Sequence, residues 1–286
     1  MDKRLECLSE LEQFKKIKRA AEEKKTCAVF GVDEQKPYFT ALLSELTGRK
    51  LFIVVPNEAD VVKTQAVMNR LAGKSLSFPT KDYNFRTVES VSRFDENRRI
   101  ETVAAIRKKD FSSVVIPAEA LCTLVMPPED YRELTIRPSD TFEFDKMAET
   151  LISFGYERFN NVTGQGQFGI RGGIVDIFPP SESQPYRIEF WDNEVDTVSL
   201  FDVNTQRRTE PADGVRITPA KEYRAEIAEK ILERIKPFEG NKYADEDEEK
   251  LKSGILPKHD RWLPACYGKA ASILDYADND TTVVFF

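Results

Sequence analysis

Apolar positions near the start of the chain follow two rhythms. Leu5, Leu8, Leu11, Phe14 and Ile17 recur at helical spacing, and the segment then becomes densely charged before the apolar run CAVFGV at 27–32, which reads as a strand. After GVDEQKP, the set Tyr38, Leu42 and Leu46, flanked by Phe39 and Leu43, predicts a helix whose first turn accommodates Pro37. LFIVVP at 51–56 predicts the next strand. Asn57 stands where it can cap a helix carrying Val61, Val62, Ala66, Val67 and Leu71, and SVVIP at 113–117 predicts a third strand. Wholly apolar strands separated by helices point to a parallel sheet covered on both faces.

The pattern changes near residue 127. A helix is expected over 145–155, then strands in YERFNNV, QFGIR, GIVDIFP, YRIEFW and VDTVSLF, separated by glycine-rich turns. That arrangement predicts an α+β domain with an antiparallel sheet. Past Ala212 a helical pattern returns over 221–235, followed by an acidic run at 245–249 that reads as a solvated helix face or loop, and by the apolar strand TTVVFF. The expected organisation is an α/β parallel-sheet domain over 1–126, an inserted α+β domain over 127–213, and the remainder of the first domain over 214–286. Because domains seldom finish in a strand, the sequence reads as a fragment of a longer protein, expected to be monomeric.

Composition narrows the chemistry. With 286 residues there is room for two domains, and 41% hydrophobic with 32% charged residues describes an ordinary folded protein. A net charge of -7 gives no overall attraction to nucleic acid. Cys7, Cys27, Cys122 and Cys266 lie far apart with no CxxC pair, and His259 is the only histidine, so no metal site and no histidine-based catalysis is expected. The charged amphipathic start is neither a signal peptide nor a membrane span, which predicts a cytoplasmic protein.

FGVDEQKPYFTALL occupies the place of a phosphate-binding loop, yet lacks its chemistry. The working pattern is GxxxxGK[ST]; here Gly31 is present, the second glycine is missing, Lys36 comes one residue early, and Pro37 replaces the hydroxyl and removes a backbone N–H. The loop reads as a relic, with no cofactor bound by the fragment.

Between Gly164 and Arg208, strand alternation puts Tyr186, Ile188 and Phe190 on a buried face and Arg187, Glu189 and Trp191 on the opposite one. Arg187 and Trp191 would lie roughly 13 Å apart at about 3.3 Å per residue, with Arg171 joining from a neighbouring strand. An exposed tryptophan beside arginines is the composition of a protein-binding hot spot. The competing reading packs Trp191 on a helix and pairs the arginines with Glu189 or Asp192. Asp176, Glu194 and Asp196 read as turn and strand carboxylates. Arg86, Arg93, Arg98 and Arg99 offer a nucleic-acid surface, more simply read as solvated helix charges.

GQFGIRGGIVDIFP, PYRIEFWDNEVDTVSLFD and TQRR resemble the bacterial transcription-repair coupling factor family, Mfd, and less closely the excision-repair protein UvrB. The resemblance extends to the relic loop at Gly31, LFIVVPNE, SVVIPAEAL and SILDYADNDTTVVFF, nearly the whole chain. It implies a degenerate P-loop helicase-like domain interrupted by a domain that docks UvrA, and places the family's UvrA-contacting residues at Arg171, Arg187 and Trp191, the last usually phenylalanine. The broken phosphate loop, and a region FPTKDYNFRTVESVSRFDENRRI with Tyr83, Phe85 and Phe94 in place of a tyrosine-rich DNA-clamping hairpin, favour the coupling factors over UvrB. The expectation is a non-catalytic module that recruits nucleotide-excision repair to stalled RNA polymerase. ATP, magnesium, RNA polymerase and double-stranded DNA are expected to engage domains outside it. The alternative is a UvrB-like, ATP-dependent domain that processes DNA damage.

Overall fold

The computed structural model describes residues 9–81, 94–222, 228–253, 267, 269 and 271–286. Helix α1 (Glu12–Glu22) lays Phe14 and Ala21 against Leu42 and Leu43 of α2 (Lys36–Thr47). Pro37 occupies the first turn of α2, where a missing N–H breaks no helical bond, and Gly48 ends the helix with a left-handed φ of 65°. Strand β1 (Lys50–Val55) leads to α3 (Glu58–Leu71), whose start is fixed by the Asn57 side chain accepting from the Asp60 N–H at 3.1 Å. Next come β2 (Ser75–Ser77), α4 (Phe94–Lys108), β3 (Ser113–Pro117), β4 (Leu134–Ile136) and α5 (Met147–Ser153). A run of strands follows: β5 (Glu157–Arg158), β6 (Gln167–Arg171), β7 (Ile174–Ile177), β8 (Tyr186–Trp191), β9 (Glu194–Phe201), β10 (Arg208–Pro211) and β11 (Val215–Ile217). The chain continues through α6 (Ala228–Ile235) and α7 (Lys242–Lys252) to β12 (Thr281–Phe285).

The described residues fall into two compact units. Those within Met1–Asp82, Thr102–Thr123 and Ser272–Phe286 form the first, and those within Tyr83–Glu101 and Leu124–Ala271 form the second. The first holds a wholly parallel sheet of order β12-β1-β3-β2, in which Leu51, Ile53, Val55 and Val115 build a core with Val61 and Met68 of α3. The second holds a sheet of order β10-β9-β8-β7-β6-β5, antiparallel except where β5 meets β6, and a separate β4–β11 pair. Its core joins Phe168, Val175, Ile177, Ile188, Phe190 and Val198 to Met147 and Leu151 of α5. Val125 donates to the Ala271 carbonyl at 3.0 Å, so the second unit's long segment enters and leaves side by side. An α/β parallel-sheet domain interrupted by an α+β domain is therefore the architecture. This division differs from the expected one: 214–271 stays with the second unit, and the chain returns to the first only at Ser272.

Other elements differ as well. Residues 27–32 form no strand, and Phe30 is 90% exposed. β1 already bonds β12 on one edge and β3 on the other, so it has no edge to offer, and Gly31 turns the backbone with φ 78°. YERFNNV contributes only the two residues of β5. The acidic run lies on α7, where Asp247 is fully buried rather than solvated. The expected helix over 221–235 is described only from Ala228 onward.

Candidate functional site

The pleat of β6, β7 and β8 sorts the site. Phe168, Val175, Ile188 and Phe190 face the core, so Arg171, Asp176, Arg187, Glu189 and Trp191 face away from it. Register places Gly169, Asp176, Arg187 and Ser199 in one row across four strands. Glycine is required in that row, because a Cβ at 169 would stand 2.8 Å from the Phe159 carbonyl oxygen. At the hairpin tip a Cβ on Gly173 would meet the Phe190 carbonyl at 2.8 Å, so the tip closes against β8 one residue before Trp191.

Asp176 is the centre of the face. Its carboxylate, 3% exposed, accepts from Arg187 Nε at 2.6 Å and Nη2 at 2.8 Å, and from Arg171 Nη2 at 2.7 Å. The two bonds from Arg187 are the fork-to-carboxylate geometry that gives guanidinium pairs their directional strength. Arg187 also donates from Nη1 to the Gln206 carbonyl at 3.2 Å and lies over the Phe201 ring, 5.1 Å from its centroid. The bond to Asp176 holds the Arg187 guanidinium above its already high ordinary pKa, so its charge is permanent. Its side chain is only 12% exposed, however, which corrects the expectation of an outward-projecting arginine. Arg171 is 48% exposed; besides Asp176 it reaches Asn161 Oδ1 at 3.5 Å and keeps donors facing solvent.

Trp191, at the end of β8, is 82% exposed and opposes Glu194 across the hairpin, so it does not pack on a helix. Glu189 pairs with Arg208 at 3.2 Å, not with Arg187. Two guanidiniums on one carboxylate leave a net positive charge, and the indole stands on the same side of the sheet. Such a surface suits a partner with carboxylates for the arginines and a recess for a flat aromatic. Sequence reasoning classed Asp176 with Glu194 and Asp196, and only the last two are exposed strand carboxylates. The signal that separates Asp176 is its register opposite Arg187, which depends on how the segment between β7 and β8 folds.

The relic loop offers a different picture. Lys36 begins α2 with its Nζ 6.0 Å from the Phe286 ring centroid, beside a cavity of 740 Å³ with Phe14, Phe39, Val284 and Phe286 among its walls. Arg49, on the same cavity, donates to Thr282 Oγ1 at 2.6 Å and to the Asn279 and Thr281 carbonyls at 3.0 Å. Pro37 removes an amide from the start of α2 that would face a phosphate there. Of the arginines considered for nucleic acid, Arg99 is fully buried and donates to Glu222 Oε1 at 2.8 Å, while Arg98 lies over the Phe94 ring. Arg86, Arg93, His259, Cys7 and Cys266 lie outside the described residues. Among the described residues no three His, Cys, Asp or Glu side chains converge as metal ligands, and no helix is long and apolar enough to cross a membrane.

Residues 134–223, which contain this face, match the family model described as UvrB interaction domain. Over 268 residues the chain is 28% identical to the transcription-repair-coupling factor of Bacillus subtilis (strain 168), a match covering 86% of the chain and 23% of that relative. The corresponding factor of Haemophilus influenzae is 25% identical over 257 residues, covering 85% of the chain and 22% of the relative. That of Staphylococcus aureus (strain USA300) is 29% identical over 194 residues, covering 66% and 16%. The chain is thus similar to coupling factors over most of its own length and spans less than a quarter of theirs.

Proposed function

We propose that this chain is the UvrA-docking module of a protein of the transcription-repair-coupling type, and that it performs no catalysis itself. Its task in this reading is to recruit nucleotide-excision repair to stalled RNA polymerase. The observation that carries the reading is Trp191, 82% exposed beside the Arg171–Asp176–Arg187 set, inside the segment 134–223 that matches the interaction domain. A large indole held in water at the end of a strand lowers no folding free energy, whereas on a partner it becomes an anchor. RNA polymerase, double-stranded DNA and ATP with magnesium belong, in this proposal, to other domains of the longer protein. Pro37 in the first turn of α2 and the missing second glycine support a module that works without nucleotide.

Purified UvrA provides the test. Arg187→Glu would set a carboxylate against the buried Asp176 and confuse folding with binding, so Arg171→Glu and Trp191→Ala are the cleaner probes. Each is expected to weaken UvrA binding tenfold or more, with an unchanged circular dichroism spectrum; a drop of about 1.4 kcal/mol corresponds to that factor. Unchanged affinity in both variants would overturn the assignment of this face.

A further inference from the structure

We propose that Asp176 is a positioning residue for partner binding, fixing the two arginines in the geometry the partner meets; this rests on the docking reading above. The carboxylate has little solvent of its own and its three recorded bonds all come from Arg171 and Arg187. It stands in register with Arg187 on β8 and next to Arg171's strand, so one side chain joins three consecutive strands, β6, β7 and β8. Two like charges this close would repel without an anion between them, and both have long, rotamer-rich side chains. With Asp176 in place, Arg187 is held over the Phe201 ring and Arg171 keeps its remaining donors toward solvent. The side chains are ordered before the partner arrives, so association loses less entropy.

The roles of the two arginines separate on this account. Arg187 has its Nε, Nη1 and Nη2 engaged within the protein, and acts mainly by holding the shape and charge of the face. Arg171 supplies the hydrogen bonds to the partner.

The experiment is a calorimetric titration of UvrA against the whole 286-residue chain carrying Asp176→Asn, Arg171→Ala, both together, or Trp191→Ala. Asparagine keeps the size of the side chain and one acceptor but not the charge. Asp176→Asn is expected to weaken binding about tenfold, the factor that follows from freeing two ordered side chains. The fitted stoichiometry should stay that of the parent, whereas simple misfolding would lower the active fraction and leave the affinity of the remainder alone. The loss from Asp176→Asn should shrink when Arg171 is already alanine, since part of its effect acts through that arginine. Parental affinity in Asp176→Asn, a loss confined to stoichiometry, or strictly additive losses in the double variant would each overturn the positioning role. If Arg171→Ala and Trp191→Ala also bind like the parent, the docking reading falls with it; if only Asp176→Asn does, that reading stands and the positioning role alone fails.

Discussion

Trp191 and Gly169 show opposite economies on one sheet face. With most of the indole in water, Trp191→Ala should change folding stability by less than about 0.5 kcal/mol, so any loss of binding can be read as contact and not as unfolding. Gly169 touches no partner in this account, yet its missing side chain lets the Phe159 carbonyl come within 2.8 Å of where a Cβ would be. Gly169→Ala must push the backbone at 159 away from β6, and Val162, fully buried in the same loop, moves with it. A cost of about 1–3 kcal/mol is expected, seen as a lower denaturation midpoint. A midpoint equal to the parent's would mean that this loop yields freely. Asp176 sits next to that glycine in register, and from the sequence alone it could not be told from Glu194 or Asp196. Alternation gives the face of a residue, but whether a face is covered depends on which loop lies over it.

At the level of elements, periodic segments were legible and edges were not. α2, α3, β1, β3 and β6 to β9 lie where apolar spacing and the Asn57 cap put them, because each carries its own signal locally. The apolar run at 27–32 has the composition of a strand yet forms none, whereas β10, with four exposed residues, lacks that composition and still pairs with β9. Apolar composition is thus neither sufficient nor necessary for a strand. β12 is apolar and pairs with β1, and an ion pair fixes the turn that leads into it: Lys109 Nζ lies 2.9 Å from Asp278 Oδ2, and Asp278 Oδ1 accepts from Thr281 Oγ1 at 2.8 Å. The bond from Lys109, then those from Thr281 and Asp280, holds the Asp278 carboxyl at about 2 against an ordinary 3.8. A folded-state value below the unfolded one means that the contribution is complete above about 3.8 and disappears as pH falls toward about 2. Both partners are substantially solvated, so the gain is held to about 1 kcal/mol or less. Asp278→Asn should therefore be slightly less stable than the parent in denaturant titrations at neutral pH, with the gap closing across that acid window. A gap independent of pH would show that the charge is not what fixes the turn.

For the whole molecule, the question is which partner its charge allows. A chain of net charge -7 repels a polyanion unless cations gather on one surface, and two arginines, Arg99 from the set considered for nucleic acid and Arg187 from the docking face, are engaged internally. Arg99 is sealed against Glu222, and Arg187 is saturated by Asp176, Gln206 and Phe201. If Arg99 swung out to a phosphate, Glu222 would stay buried without that partner, at a cost of several kcal/mol. Nucleic-acid affinity grows with the number of phosphates neutralised, each releasing counterions and steepening the dependence on salt. The isolated chain should therefore leave duplex DNA unshifted at about 100 µM protein in about 0.15 M salt, below the non-specific affinity common among DNA-binding proteins. A shift that weakens steeply with added salt would reveal a basic surface that Arg98, Arg99, Arg171 and Arg187 do not account for, and would revive a module that grips DNA directly. With no shift, the positive charge at Arg171 is left for a protein carboxylate, which recognises a guanidinium by the same forked geometry that Asp176 already displays.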